Sequence, residues 1–267
     1  MKSVKIMAVI SLAAGLLWMG SLAFTINSQF FQNREAPPPA VSKKAELENP
    51  QKKDEEYNIV GLGDSLTRGI GDESGKGYAG YAIGQLRDRT EQKLQLTNLS
   101  ISGQTSVQLE KQLNQPEIQR QLSKADAVIM TIGGNDLFAG GQVMEDLSDE
   151  SIKNTRAAFL ERLGSIFQQI RSVNPQAAVY YIGLYNPFND LSNSKTTSGI
   201  VREWNFYTAE EAAKYKKTIV VPTFDLFEQN VNDYLYSDKF HPNSEGYQLI
   251  GERLASLILF SGGGEEQ

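Results

Sequence analysis

The chain of 267 residues has no cysteine and a single histidine, His241. The first absence excludes disulfides, a thiol nucleophile, zinc sites built on thiolates and a lipobox-type lipid anchor. It leaves the compartment open, because a chain long enough to bury a large core needs no covalent staples. The scarcity of histidine makes His241 the only imidazole available for acid–base chemistry near neutral pH. Excess positive charge is missing as well, since the formal net charge is −6. The first 56 residues hold seven Lys/Arg and six Asp/Glu, which leaves 19 basic and 26 acidic groups in the remainder. So acidic a body is a poor partner for a phosphate backbone, and nucleic-acid binding is not expected.

Missing motifs prune the enzyme classes further. No G-x-S-x-G occurs, so the nucleophile elbow of the α/β-hydrolases is absent. Gly61-x-Gly63 is followed at the third fingerprint position by Leu66, so the dinucleotide pattern fails. Gly75-Lys76-Gly77 lacks the earlier glycine and the Ser/Thr of a phosphate loop. Asp64, Asp136 and His241 could in principle serve a metal hydrolase, but their spacing does not suit zinc. No cofactor is implied.

What is present divides the chain in three. Lys2 and Lys5 precede an uncharged run from Ile6 to Ile26, about 20 residues and enough to cross the hydrocarbon of a bilayer as a helix. The basic flank orients that end to the cytoplasm and sends the rest outside. Residues 1–26 therefore read as a signal peptide, with Ser21-Leu22-Ala23 as a small-x-small cleavage site, or as a retained membrane anchor. Residues 27–56 contain Pro37-Pro38-Pro39 and a Lys/Glu-rich stretch without apolar residues, the composition of a disordered stalk. A folded domain is expected over 57–262.

Within that domain, short apolar runs alternate with helical periodicity. Strands are expected at Tyr57–Leu62, Leu94–Leu99, Ala127–Ile132, Ala178–Leu184 and Ile219–Val221. Helices are expected at Tyr78–Lys93, Glu150–Val173, Gly199–Lys217 and Ser244–Leu259, with Asn243 as the N-cap of the last. Alternation of this kind argues for an α/β fold, a parallel sheet covered on both faces.

Three segments carry chemistry. Gly61-Leu62-Gly63-Asp64-Ser65-Leu66 follows the first strand, where active groups of open parallel sheets collect. Ser65 there can expose its hydroxyl and aim its backbone N–H at a substrate oxygen, or Asp64-Ser65 can simply cap a helix. Gly133-Gly134-Asn135-Asp136 follows the third strand. The Asn135 amide is a neutral donor suited to a developing oxyanion, though the same four residues suit an ordinary turn. Asp238-Lys239-Phe240-His241 precedes the last helix. Serine needs a base within hydrogen-bond reach, and the base needs an orienting carboxylate. The three-residue spacing lets Asp238 reach Nδ1 of His241 and leaves Nε2 to face Ser65.

Together these blocks resemble the SGNH, or GDSL-type, serine hydrolases. Gly63-Asp64-Ser65-Leu66 matches the first block, Gly103 in Asn98-Leu99-Ser100-Ile101-Ser102-Gly103 the second, Gly133-Gly134-Asn135-Asp136 the third and Asp238-Lys239-Phe240-His241 the last. The resemblance implies a three-layer α/β/α, flavodoxin-like fold with a five-stranded parallel sheet. It implies Ser65 as nucleophile, His241 as base and Asp238 as orienting carboxylate, with Ser65, Gly103 and Asn135 forming the oxyanion hole. It implies hydrolysis of carboxylic esters, lipid acyl esters or O-acetyl groups, through an acyl-serine. Asp64 and Asp136 are expected to be structural. A non-catalytic cell-surface binding domain on the same fold is the alternative, and it predicts loss of the triad. Phe138 and Phe188 are candidates for an acyl pocket or for ordinary packing. The connections Phe138–Glu150 and Tyr185–Ser198 lie where substrate loops belong.

Overall fold

The computed structural model describes residues 56–138 and 148–260. The expected membrane segment, the stalk to residue 55, most of the first substrate connection (139–147) and the last seven residues lie outside the described residues. Among the described residues no helix is long and apolar enough to cross a membrane.

Five strands form one parallel sheet: β1 (Glu56–Gly63), β2 (Lys93–Asn98), β3 (Ala127–Thr131), β4 (Ala178–Ile182) and β5 (Thr218–Val221). Their order is β2-β1-β3-β4-β5, with every neighbouring pair parallel. Helices connect them: α1 (Ser65–Arg68), α2 (Gly77–Leu86), α3 (Ser106–Gln112), α4 (Pro116–Leu122), α5 (Gly134–Phe138), α6 (Asp149–Val173), α7 (Ser194–Ala212), α8 (Phe224–Glu228), α9 (Val231–Tyr234) and α10 (Ser244–Leu257).

The strands read as unbroken apolar runs because both faces are covered. Alternate side chains enter two separate cores. Val128, Met130, Val179 and Tyr181 pack with Phe159, Leu163, Phe167 and Trp204 of α6 and α7 on one face. Ala127, Ile129, Tyr180 and Ile182 pack with Tyr78, Leu86, Tyr247 and Leu254 of α2 and α10 on the other. The α/β three-layer expectation therefore holds, and its period-two logic is visible residue by residue.

Several boundaries differ from expectation. Glu56 is the first residue of β1 rather than the last of a stalk, paired in register with Lys93. The helix expected over Tyr78–Lys93 stops at Leu86, and one 3-10 turn, Arg87–Arg89, follows. Residues 87–92 offer no apolar side chain to bury, and Lys93 already belongs to β2. β4 ends two residues early, at Ile182. The helix expected from Gly199 starts at Ser194, because Thr197 and Ser198 have a reason to be there: their hydroxyl oxygens accept both hydrogens of the Asn186 amide, at 2.9 and 3.0 Å. That helix ends at Ala212, before Lys217. The last helix ends at Leu257, where Ile258 turns extended at φ −78°, ψ 117°. Asn243 is its N-cap, accepting the Gly246 N–H at 2.9 Å.

Candidate active site

The site lies at the carboxyl edge of the sheet. β1 ends in Gly63 at φ +103°, where a Cβ would stand 1.7 Å from the Thr131 carbonyl oxygen, so only glycine lets β1 lie against β3 at this point. Asp64 follows, donates its N–H to the Thr131 carbonyl at 3.1 Å and accepts the Leu66 N–H at 3.0 Å. Asp64 thus does cap α1, and Ser65 is the first residue of that helix. The helix-cap reading and the nucleophile reading of this segment are compatible, because the cap is what presents Ser65.

Beneath the serine lies a buried hydrogen-bond chain. The Tyr78 hydroxyl meets Thr67 Oγ1 at 2.7 Å, Thr67 Oγ1 meets Thr131 Oγ1 at 2.8 Å, and Thr131 donates to Asp64 Oδ1 at 2.6 Å. Burial pushes the Asp64 carboxyl above its ordinary range, and the bonds from Thr131 and Leu66 only partly oppose this. Such a chain holds the first turn from below.

His241 Nε2 lies 2.8 Å from Ser65 Oγ, and His241 Nδ1 lies 2.7 Å from Asp238 Oδ2. A carboxylate can only accept, so Nδ1 carries the hydrogen and Nε2 of the neutral ring accepts the serine hydroxyl. Asp238 Oδ1 also accepts the N–H groups of Phe240 at 2.9 Å and His241 at 3.0 Å. Burial alone would raise the Asp238 carboxyl, but the imidazole and these two N–H groups outweigh it and hold it below the usual range. The imidazole therefore faces an anion throughout the neutral range.

The loop bearing His241 is fixed from several sides. Tyr236 N–H donates to the His241 carbonyl at 2.8 Å, and the Tyr185 hydroxyl donates to the Phe240 carbonyl at 2.6 Å. Gly71, at φ +93°, leaves room for the loop, since a Cβ there would approach the Pro242 carbonyl to 2.6 Å and His241 Cβ to 3.0 Å. Asp72, only 8 % exposed, accepts four hydrogen bonds. They come from Ser74 N–H at 2.9 Å, Ser74 Oγ at 3.0 Å, Gly77 N–H at 2.7 Å and Ser244 Oγ at 2.6 Å. The last ties the first residue of α10, three positions past His241, to the turn after the serine.

Burial tends to raise Asp72, yet its four donors, Ser244 and Ser74 foremost, bring the carboxyl below its ordinary value. A carboxyl lowered on folding stabilises above its unfolded pKa, and that contribution disappears as pH falls through the folded value. Asp72→Asn is therefore expected to be about 1–3 kcal/mol less stable near pH 7. The difference should shrink as both proteins are melted at pH values below the ordinary carboxylate range.

Gly103 and Asn135 flank the serine from the two neighbouring strands. Ile101 N–H donates to the Gly63 carbonyl at 2.8 Å, carrying the β1–β2 pairing one step past the strand and delivering Gly103 at the rim. Among the described residues, no acceptor takes the N–H of Gly103 or of Ser65. Asn135 Nδ2 donates one hydrogen to the Gln104 carbonyl at 2.9 Å, which orients the amide and leaves its second hydrogen available. Asp136 does not face the serine. It accepts from Ser106 N–H at 2.9 Å and Ser106 Oγ at 2.5 Å, holding the first residue of α3, and Arg162 Nε donates to the same hydroxyl at 3.0 Å. Asp64, Asp136 and His241 thus have separate partners, and no three His, Cys, Asp or Glu among the described residues group as metal ligands.

A narrow depression, with room for about 20 Å³, opens beside Ser65, bordered by Asn135, Phe138, Leu184, Tyr185, Pro187 and Phe240. Phe138 lines it. Phe188 stands behind, its ring 5.3 Å from Phe138 and 6.3 Å from Phe240, and is a packing residue.

A serine, an imidazole and a carboxylate in hydrogen-bonded series, at the carboxyl edge of a parallel sheet, make up the constellation of a serine hydrolase. Residues 62–249 match the GDSL-like Lipase/Acylhydrolase family, and the chain belongs to that family of ester hydrolases. It is 35 % identical over 209 residues to "Uncharacterized protein YpmR" of Bacillus subtilis, covering 76 % of this chain and 82 % of that one. It is 29 % identical over 202 residues to the spore germination lipase LipC of Bacillus licheniformis, covering 72 % of this chain and 92 % of LipC. In fold it is similar to the lipase Lip_vut3 from a goat rumen metagenome, at TM-score 0.65 and 24 % identity, over 75 % of this chain and 96 % of that one. The alternative of a non-catalytic binding domain finds no support, since every member of the expected triad is present.

Proposed function

We propose that this carboxylic ester hydrolase works through Ser65 as nucleophile, His241 as general base and Asp238 as the carboxylate that orients the ring. Ser65 Oγ attacks the ester carbonyl while its proton passes to His241 Nε2. The oxyanion is met by the N–H groups of Ser65 and Gly103 and by the free amide hydrogen of Asn135. The bond from carbon to the alcohol oxygen then breaks, the leaving oxygen takes the proton from His241, and an acyl-serine remains. Water, activated by the same imidazole, releases the acid. The observation that carries this reading is the continuous series Asp238–His241–Ser65, with contacts of 2.7 and 2.8 Å.

The acyl group belongs beside the depression lined by Phe138, Leu184, Tyr185 and Phe240, whose walls are apolar. Similarity to a spore germination lipase supports lipid esters, and likeness in fold to an acetylxylan esterase supports O-acetyl groups. The sequence of residues 1–56 supports export by its apolar segment, with the domain secreted or tethered outside the membrane on a polar stalk. A fluorophosphonate probe should label the protein at Ser65, and Ser65→Ala should abolish the label. Labelling elsewhere, or none in the folded parent, would sink the assignment.

A further inference from the structure

The room beside Ser65 is small. The depression holds about 20 Å³, space for little more than one water or a single methyl group. Ser65, Gly134, Asn135, Phe138 and Phe240 are among the residues that line it. We propose that Phe138 sets the length of acyl group the site accepts, by closing the depression one carbon beyond the ester carbonyl. The inference rests on the serine-hydrolase reading above and adds to it the residue that selects the acyl chain.

An ester carbonyl attacked by Ser65 and met by Asn135 brings its first acyl carbon to the depression, because both residues line it. A longer chain must push a wall aside. Phe138 is 5 % exposed. Its ring meets Phe188 edge-on at 5.3 Å and Phe240 edge-on at 6.0 Å, separations at which aromatic pairs attract. Both neighbours are anchored. Phe188 N–H donates to Asn186 Oδ1 at 3.0 Å, and the Asn186 amide is itself held by Thr197 and Ser198. Phe240 gives its N–H to Asp238 Oδ1 and accepts the Tyr185 hydroxyl on its carbonyl, so moving it disturbs the carboxylate that orients the base. Close-packed rings in such a frame resist added methylenes. A chain that turns out of the depression instead leaves its carbons in water and forgoes the burial that would favour it. Gly134 offers the converse change. Among the described residues, a Cβ there would meet only Leu184 Cδ2 within 4 Å, at 3.8 Å, an ordinary contact. Gly134 and Leu184 both line the depression, so a methyl at 134 fits the backbone and takes up the room an acyl methyl needs.

The test holds the alcohol constant as phenol and varies the acid through formic, acetic, butanoic and octanoic. In the full chain, kcat/KM is expected to fall about tenfold or more from acetate to butanoate, the scale on which a pocket refuses added methylenes. Phe138→Ala should raise the butanoate-to-acetate ratio of kcat/KM about tenfold. Phe138→Leu, which keeps an apolar side chain in the core, should raise it in the same direction and serves where the alanine variant does not fold. Gly134→Ala should lower the acetate-to-formate ratio about tenfold. A general disturbance of neighbouring Asn135 would slow both of those esters alike and leave that ratio unmoved. A parent that cleaves the octanoate as well as the acetate overturns the stop while leaving the hydrolase intact. So does an unchanged ratio in the folded Phe138 variants or in a folded Gly134→Ala. A parent that cleaves no ester and takes no fluorophosphonate overturns the reading beneath it as well.

Discussion

His241→Ala is expected to lower kcat for any ester by about a millionfold, leaving only what the oxyanion donors and substrate binding supply. No other imidazole exists in the chain to substitute for it. The expected loss follows from the serine, whose hydroxyl is far too basic to ionise near neutral pH and donates to Nε2 at 2.8 Å. Asp238→Asn should cost less, about ten-thousandfold, and for a different reason. An amide at 238 can donate to Nδ1, which selects the tautomer whose Nε2 carries hydrogen and cannot accept from Ser65. Stopped-flow measurement with an activated ester checks both. A His241→Ala protein retaining even a hundredth of the parent rate would mean that another group takes the serine proton.

Asn135→Ala is expected to lower kcat by a factor of about a hundred to a thousand, with KM little changed. In the proposed oxyanion hole its second amide hydrogen meets an oxygen that bears charge only in the transition state, so the ground-state ester loses little. The substitution also removes the bond to the Gln104 carbonyl. That bond contributes about 1 kcal/mol, worth a few degrees in Tm for a domain of this size. Kinetics beside thermal melts separate the two effects. A mutant with near-parental kcat, or one whose lost activity tracks lost fold, would remove Asn135 from the proposed oxyanion hole.

The residues of the proposed triad and Asn135 were legible because each sits in a short segment whose local chemistry is unusual. A serine behind two glycines, an asparagine behind two more and an aspartate three residues before the only histidine are patterns that single positions can carry. The sheet was legible for the same local reason, since strands buried on both faces leave solid apolar runs. Asp72 and Gly71 were not. Their partners, Ser244 and the His241 loop, lie about 170 residues away, and nothing near Asp72 in the chain distinguishes it from a turn aspartate. The short helices α1, α5, α8 and α9, of four or five residues, are too brief to show periodicity. They form because strand ends and caps impose them. Ser194–Ser198 gave no helical signal, since its polar side chains answer to Asn186 rather than to a core.

The order β2-β1-β3 gives the rim a property of its own. The three proposed donors follow the ends of three adjacent strands, with Ser65 just past the central one, so interstrand spacing acts as the ruler that sets their separation. Helices and loops away from this rim can lengthen, shorten or exchange without altering that measure, whereas a single-residue slip between β1 and either neighbour would displace a donor entirely. Variation in this scaffold is therefore cheap around the perimeter and forbidden in the registry of its middle strands, which is how one framework can be refitted for new esters without rebuilding its chemistry.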